Sequence, residues 1–174
     1  MSDTPGIPAD FPPADIEAFL RFCAGEWMSL RSELQLGQLS ADNDDDDSES
    51  SWHSSERGDL VVTYLEAEGP GAESTDPGGL QVAAKRDGVL QAPITLHFGN
   101  DGRFATSGGA DGSWTLWPDG SLELVLAGPD GEVREKIWFT KPNLRLRSTV
   151  ETRSDGAPGR ASFCSEIRRV SRPA

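Results

Sequence analysis

The chain of 174 residues carries 29 Asp and Glu against 16 Lys and Arg, a net charge of -13. It therefore offers no overall basic surface to a nucleic acid or an anionic membrane, since neutralising phosphates needs clustered positive charge. At 36% hydrophobic residues it can bury one core of ordinary size, so a single domain over 1–174 is expected.

The first residues, 1–13, lack the basic and apolar regions of a signal peptide. No apolar run approaches the ~20 residues that cross a bilayer, so the expectation is a soluble, unexported chain acting in the cytoplasm. After a short tail (1–12), Ile16, Phe19, Leu20 and Cys23 recur at three- and four-residue spacing behind Asp15, which predicts one short amphipathic helix ending at Gly25. From there the period changes to two.

Asp42 to Glu49 superficially resembles a calcium loop, with Asp42, Asp44 and Asp46 at alternate positions. It fails that pattern, because the sixth position is Asp47 where the turn needs Gly and the twelfth is His53 where a bidentate Glu belongs. Self-repelling carboxylates instead predict a solvated, flexible loop over 37–51. A second loop rich in Gly, Pro, Ser and Thr spans Gly69 to Gly79.

Short alternating segments then recur to the end, separated by turn signals at Asp87-Gly88, Asn100-Asp101-Gly102, Asp111-Gly112, Asp119-Gly120, Asp130-Gly131 and Asp155-Gly156. This is the pattern of an antiparallel meander, a sandwich or a closed barrel. Closure removes exposed strand edges, and a helix ahead of the first strand favours the barrel. The fold class is thus mainly all-β, an antiparallel up-and-down barrel with a short N-terminal helix.

Charge is unevenly spread. Residues 1–79 stand at -15 and residues 80–174 at +2, and from Arg134 onward ten Lys or Arg face only four acids. Alternation puts Glu135, Ile137 and Phe139 on one strand face, Arg145, Arg147 and Thr149 on one face of the next, and Cys164, Glu166 and Arg168 on one face of the last. In the first strand Trp27, Ser29 and Arg31 share a face. Two arginines pointing together beside acids form either a carboxylate pocket or a solvated ion-pair ladder, and the ladder is the default.

Cys23 and Cys164 are too few for a disulfide framework and read as buried thiols; neither they nor His53 and His97 fall at metal-ligand spacing. His97 reads as a strand histidine on a solvent or pocket face. Trp114 and Trp117 fall on opposite faces, one core and one exposed.

Four segments carry a family resemblance: Gly25-Glu26-Trp27-Met28-Ser29-Leu30-Arg31, Glu135-Lys136-Ile137-Trp138-Phe139, Pro142-Asn143-Leu144-Arg145-Leu146-Arg147 and Ala161-Ser162-Phe163-Cys164-Ser165-Glu166-Ile167-Arg168. In order and content they resemble the S-type phycobiliprotein lyases, the CpcS/CpeS family. The resemblance implies a lipocalin-like barrel that binds a linear tetrapyrrole, phycocyanobilin or phycoerythrobilin, and attaches it through a thioether to a cysteine of an apo-phycobiliprotein subunit. It implies no prosthetic group and no metal.

By the same resemblance Arg145 and Arg147 bind the bilin propionates, with Arg31 and Thr149 as further bilin-binding positions, and Glu135 and Glu166 are the catalytic carboxylates lining the pocket. The acceptor's thiol is the nucleophile, so Cys164 reads as a packing residue. One departure stands out: the stretch Leu80 to Gly88, where the family carries a tryptophan-bearing strand, has no aromatic. Alternatives are a non-catalytic partner subunit of a heteromeric lyase, or a carrier of another carboxylate-bearing hydrophobic ligand. The chain is open to a homodimer or a heterodimer with a related subunit.

Overall fold

Asp15 starts the first element by accepting a hydrogen bond from the Ala18 N–H at 2.8 Å, which satisfies one of the free donors at a helix N-terminus. The structure, a computed structural model, describes residues 10–35, 52–67 and 75–170. Helix α1 (Ile16–Cys23) buries Phe19, Leu20 and Cys23 of the face that the sequence spacing predicts, leaves Ile16 half-buried and adds Phe22. Gly25 then takes φ +139, a conformation costly for other residues, and the chain turns directly into the first strand.

Eleven strands follow: β1 (Gly25–Gln35), β2 (Trp52–Leu65), β3 (Gly78–Arg86), β4 (Val89–Leu90), β5 (Ile94–Phe98), β6 (Arg103–Thr106), β7 (Asp111–Leu116), β8 (Leu122–Gly128), β9 (Gly131–Lys141), β10 (Leu144–Arg153) and β11 (Arg160–Arg168). Each pairs antiparallel with its chain neighbour, and β11 pairs back onto β1, so 10 strands close into a barrel. The two-residue β4 is an extension bonded to the end of β3, and β5 takes over the pairing with β3 beyond it. The expected up-and-down barrel is present.

One turn falls elsewhere than its signal. Asp111 and Gly112 lie inside β7, and the chain reverses just before them. Gly112 is needed for space: a Cβ there would come within 2.6 Å of the Phe104 ring on the paired strand. The expected acidic loop and the tail through Ala9 lie outside the described residues. Phe11, from the end of that tail, sets its ring 5.8 Å from that of Phe22.

The helix closes one end of the barrel with aromatic packing. Phe139 has ring contacts at 5.3 Å to Phe19, 4.7 Å to Phe22 and 6.0 Å to Trp27. Trp27 is fully buried and donates its indole N–H to the Cys23 carbonyl at 2.9 Å. Arg168 lies over the Trp27 ring at 4.2 Å and donates to the carbonyls of Phe22 and Ala24, tying β11 to the helix. Burial pulls its pKa below the ordinary value, so this cation is held by carbonyls and rings in place of water.

Truncating Trp27 would empty the centre of this plug. Trp27→Ala should therefore lower stability by about 3–5 kcal/mol, the usual loss for a large buried aromatic, read as a shifted midpoint in urea by circular dichroism. A loss under about 1 kcal/mol would show that the helix, not the tryptophan, carries the closure.

Candidate functional site

Register decides which side chains meet inside the barrel. Directly paired residues on adjacent strands point to the same face, and Arg145 pairs with Glu166 on one side and Phe139 on the other. Arg147 pairs with Cys164 and Ile137, and Thr149 with Glu135. Since Trp27, Cys164 and Glu166 are buried, this whole set faces inward.

The geometry is a shared acceptor with two cations. Glu166 accepts from Arg145 Nε at 2.5 Å through Oε2 and from Arg147 Nη2 at 2.9 Å through Oε1. Glu166 is 0% exposed and Arg145 4%. A buried carboxylate of this kind is tolerable because both oxygens are engaged by guanidinium donors. Arg145 also lies 4.6 Å from the centre of the Trp27 ring, so its plane is fixed by an aromatic face as well as by the acid.

Arg147 extends further. It approaches Glu135 Oε1 at 3.8 Å and the Cys164 sulfur at 3.9 Å. Burial on its own would lower its pKa, but Glu135, Glu166 and Cys164 together raise it well above the ordinary guanidinium value. Thr149 Oγ1 lies 3.5 Å from Glu135 Oε2, at the outer limit of a hydrogen bond.

A cavity of about 530 Å³ lies against this cluster, within the size range of sites that bury most of a drug-sized ligand. Its walls are apolar: Leu80, Val82, Leu96, Leu122 and Leu124 contribute, with Phe98 and Phe104 stacked at 5.7 Å and 24°. Glu135, Arg145 and Arg147 are the charged groups that line it, and Cys23 sits at the helix-closed end. A larger groove of about 940 Å³, between the tips of the β8–β9 and β10–β11 hairpins, shares Ala110, Leu126 and Val133 with the cavity. It lies beside the apolar, arginine-bearing chamber.

The sequence-derived site residues separate into two groups. Arg145, Arg147, Glu135, Glu166 and Thr149 come together. Glu166 nevertheless stands behind the arginines and does not line the cavity, whereas Glu135 does. Arg31 shares the inner face, in register with Cys164, but its guanidinium is half exposed and bound to Glu33 at 2.6 Å, away from the cavity lining. The arginine pair is thus both an ion-pair cluster and part of a pocket wall, where sequence reasoning set these as alternatives.

Both cysteines are buried free thiols, as expected. Burial pushes the Cys23 thiol pKa up, against a smaller downward pull from Arg145, so it is kept as an unreactive thiol. Trp114 is half-buried, its indole N–H bonded to the Gly99 carbonyl at 2.9 Å, and Trp117 is exposed, matching the predicted division. His97 is exposed. The aromatic pair Phe98 and Phe104 was not singled out by sequence; both sit at inward positions of alternating strands, which was the available signal.

Comparisons with known proteins converge on one family. A family model described as CpeS-like protein matches residues 100–169. The chain is 42% identical over 163 residues to "Chromophore lyase CpcS/CpeS 1" of Paulinella chromatophora, covering 93% of this chain and 92% of that protein. It is 43% identical over 60 residues to "Chromophore lyase CpcS/CpeS 2" of a Synechococcus strain, 34% of this chain and 32% of that one. Among solved structures, the S-type phycobiliprotein lyase CPES from Guillardia theta superposes with a TM-score of 0.59 over 90% of this chain and 93% of its own, at 18% identity, a likeness of fold.

Proposed function

The chain belongs to the CpcS/CpeS family of chromophore lyases, and from that premise we propose that its lipocalin-like barrel binds a linear tetrapyrrole and delivers it to a cysteine of a phycobiliprotein subunit in the cytoplasm. The observation that carries this is the pairing of Arg145 and Arg147 on the wall of an otherwise apolar chamber. A bilin matches it part for part. Its conjugated rings suit walls of Leu, Val and stacked Phe, and its two propionates suit planar guanidinium forks.

The reaction asks little of the protein beyond holding and presenting. The acceptor's S–H adds across an ethylidene double bond of phycocyanobilin or phycoerythrobilin: a C–S bond forms, the π bond is lost, and the thiol proton ends on the pigment, with no net oxidation. Glu135, on the cavity wall beside Arg147, is the group that relays that proton. Thr149 orients Glu135, Glu166 fixes both guanidiniums from behind, and Arg31 contacts the pigment only toward the barrel's outer end. Fixing the pigment's conformation supplies the remaining advantage through proximity.

A second reading is favoured by one observation. The inward residues of β3 are Leu80 and Val82, with no aromatic to clamp the pigment from that side. A non-catalytic subunit that works only beside a related lyase would show this. The purified chain should bind phycocyanobilin or phycoerythrobilin with altered absorbance and, given an apo-phycobiliprotein subunit, yield an acid-stable covalent adduct on the acceptor. Binding without transfer selects the partner-subunit reading, and no binding removes the bilin assignment.

A further inference from the structure

The turn between β6 and β7 stands at the barrel end away from the helix. Register places it there: β1 leaves the helix at Gly25, which pairs with Val62, and Gly79 pairs with Leu65 at the close of β2. Gly78, Phe98 and Phe104 lie level with that end. Thr106, two residues past Phe104, faces inward with it, and the chain then reverses through 107–110. Thr106 and Ser107 line the chamber at this mouth, and apart from the Cys23 thiol they are the uncharged polar side chains of its lining.

Their oxygens are already engaged. Thr106 Oγ1 accepts from the Ala110 N–H at 3.2 Å, and Ser107 Oγ accepts from the Thr95 N–H at 3.1 Å. Among the described residues neither hydroxyl donates to another group. A hydroxyl carries one proton beside its two lone pairs, so each keeps a donor for something else. Gly108 and Ala110, which line the chamber next to them, leave this lip without a bulky side chain.

We propose, resting on the bilin reading above, that Thr106 and Ser107 donate to the lactam carbonyl of a terminal bilin ring and hold that ring at the mouth. A bilin brings two propionates and a lactam carbonyl on each end ring. The propionates take the two guanidiniums, and an amide-type carbonyl taken out of water without a donor loses free energy. Walls of Leu, Val and Phe offer it none, and the strands' own N–H groups are held in the barrel's ladder. The two hydroxyls are the donors that remain.

Placement agrees with chemistry. Arg145 lies against Trp27 near the helix end, so propionates bound there leave an end ring reaching outward. The acceptor's thiol arrives from outside, and the ethylidene that it attacks sits on an end ring of this kind. A saturated carbon separates that ring's carbonyl from the ethylidene, so the hydroxyls orient the ring without changing its electrophilicity.

Infrared spectra of phycocyanobilin, isotope-labelled at its lactam carbonyls and bound to the purified full chain, test this. In the double variant Thr106→Val, Ser107→Ala, one lactam C=O band should move to higher wavenumber. The Kd from absorbance titration should rise about 10-fold, as expected for losing two neutral hydrogen bonds. Thr106→Ser, which keeps the hydroxyl, should retain the parent's band and affinity. Because Thr106→Val also removes a contact within the turn, far-UV circular dichroism checks the fold, and Ser107→Ala alone carries the test if the double variant misfolds. A folded variant that binds pigment with unmoved lactam bands overturns the proposal. So does a Thr106→Ser variant that behaves as Thr106→Val does. Either result leaves the lyase assignment standing, whereas a parent chain that binds no bilin removes both.

Discussion

Replacing Arg145 and Arg147 together by glutamine should weaken bilin binding by about 3–6 kcal/mol, or roughly 10²- to 10⁴-fold in Kd. The figure follows from two charge-assisted contacts at about 1.5–3 kcal/mol each. Glutamine suits the test because its amide can still donate to Glu166, so the buried acid keeps hydrogen-bond partners. Affinity is read from the absorbance of phycocyanobilin titrated into the folded variant. Of the single variants, Arg147→Gln should account for the larger share, since its side chain is 24% exposed against 5% for Arg145. A folded double variant with unchanged affinity would remove the arginines from the propionate site.

Glu166→Ala should destabilise the fold by about 3–5 kcal/mol, the usual consequence of stripping one partner from a buried ion pair. The damage centres on Arg145, which is buried and holds Glu166 as its ion-pair partner at 2.5 Å, whereas Arg147 retains Glu135 at 3.8 Å. Urea denaturation gives the loss. Saturating bilin should restore part of it, because a ligand carboxylate that binds only the folded state raises stability by mass action. If the variant lies within about 0.5 kcal/mol of the parent, as ordinary surface substitutions do, the shared-acceptor account of Glu166 is wrong.

Much of this fold can be read from alternation alone. Period two in Glu135 to Phe139 and Leu144 to Glu151 names the inward faces correctly, because side-chain direction along a strand is fixed by the pleat. Five of the six Asp-Gly or Asn-Asp-Gly signals place a residue in the turn itself; the sixth, Asp111-Gly112, falls just past its turn because there the glycine makes room for Phe104, and room for a neighbour leaves no local sequence trace. Depth is equally hidden. Alternation tells that Glu166, Arg145 and Arg31 face inward, but it cannot tell that Glu166 lies behind the arginines while Arg31 is drawn to Glu33. That depends on how far along the barrel each residue sits and on partners from strands distant in sequence. Phe98 and Phe104 escaped notice for the same reason: their role comes from the strands opposite them across the ring.

The chamber is electrically balanced before any ligand arrives, with two guanidiniums set against Glu135 and Glu166. A dicarboxylate entering it meets no bare positive site. It trades places with, or shares, contacts already made, so its net gain is smaller than the loss on removing the cations, which would leave its carboxylates facing Glu135 and Glu166. On departure the resident acids retake the arginines, so the exit step exposes no lone cation in a poorly solvating interior. In the proposed role this would keep residence short and the free state intact, the behaviour of a courier, whose worth lies in letting go.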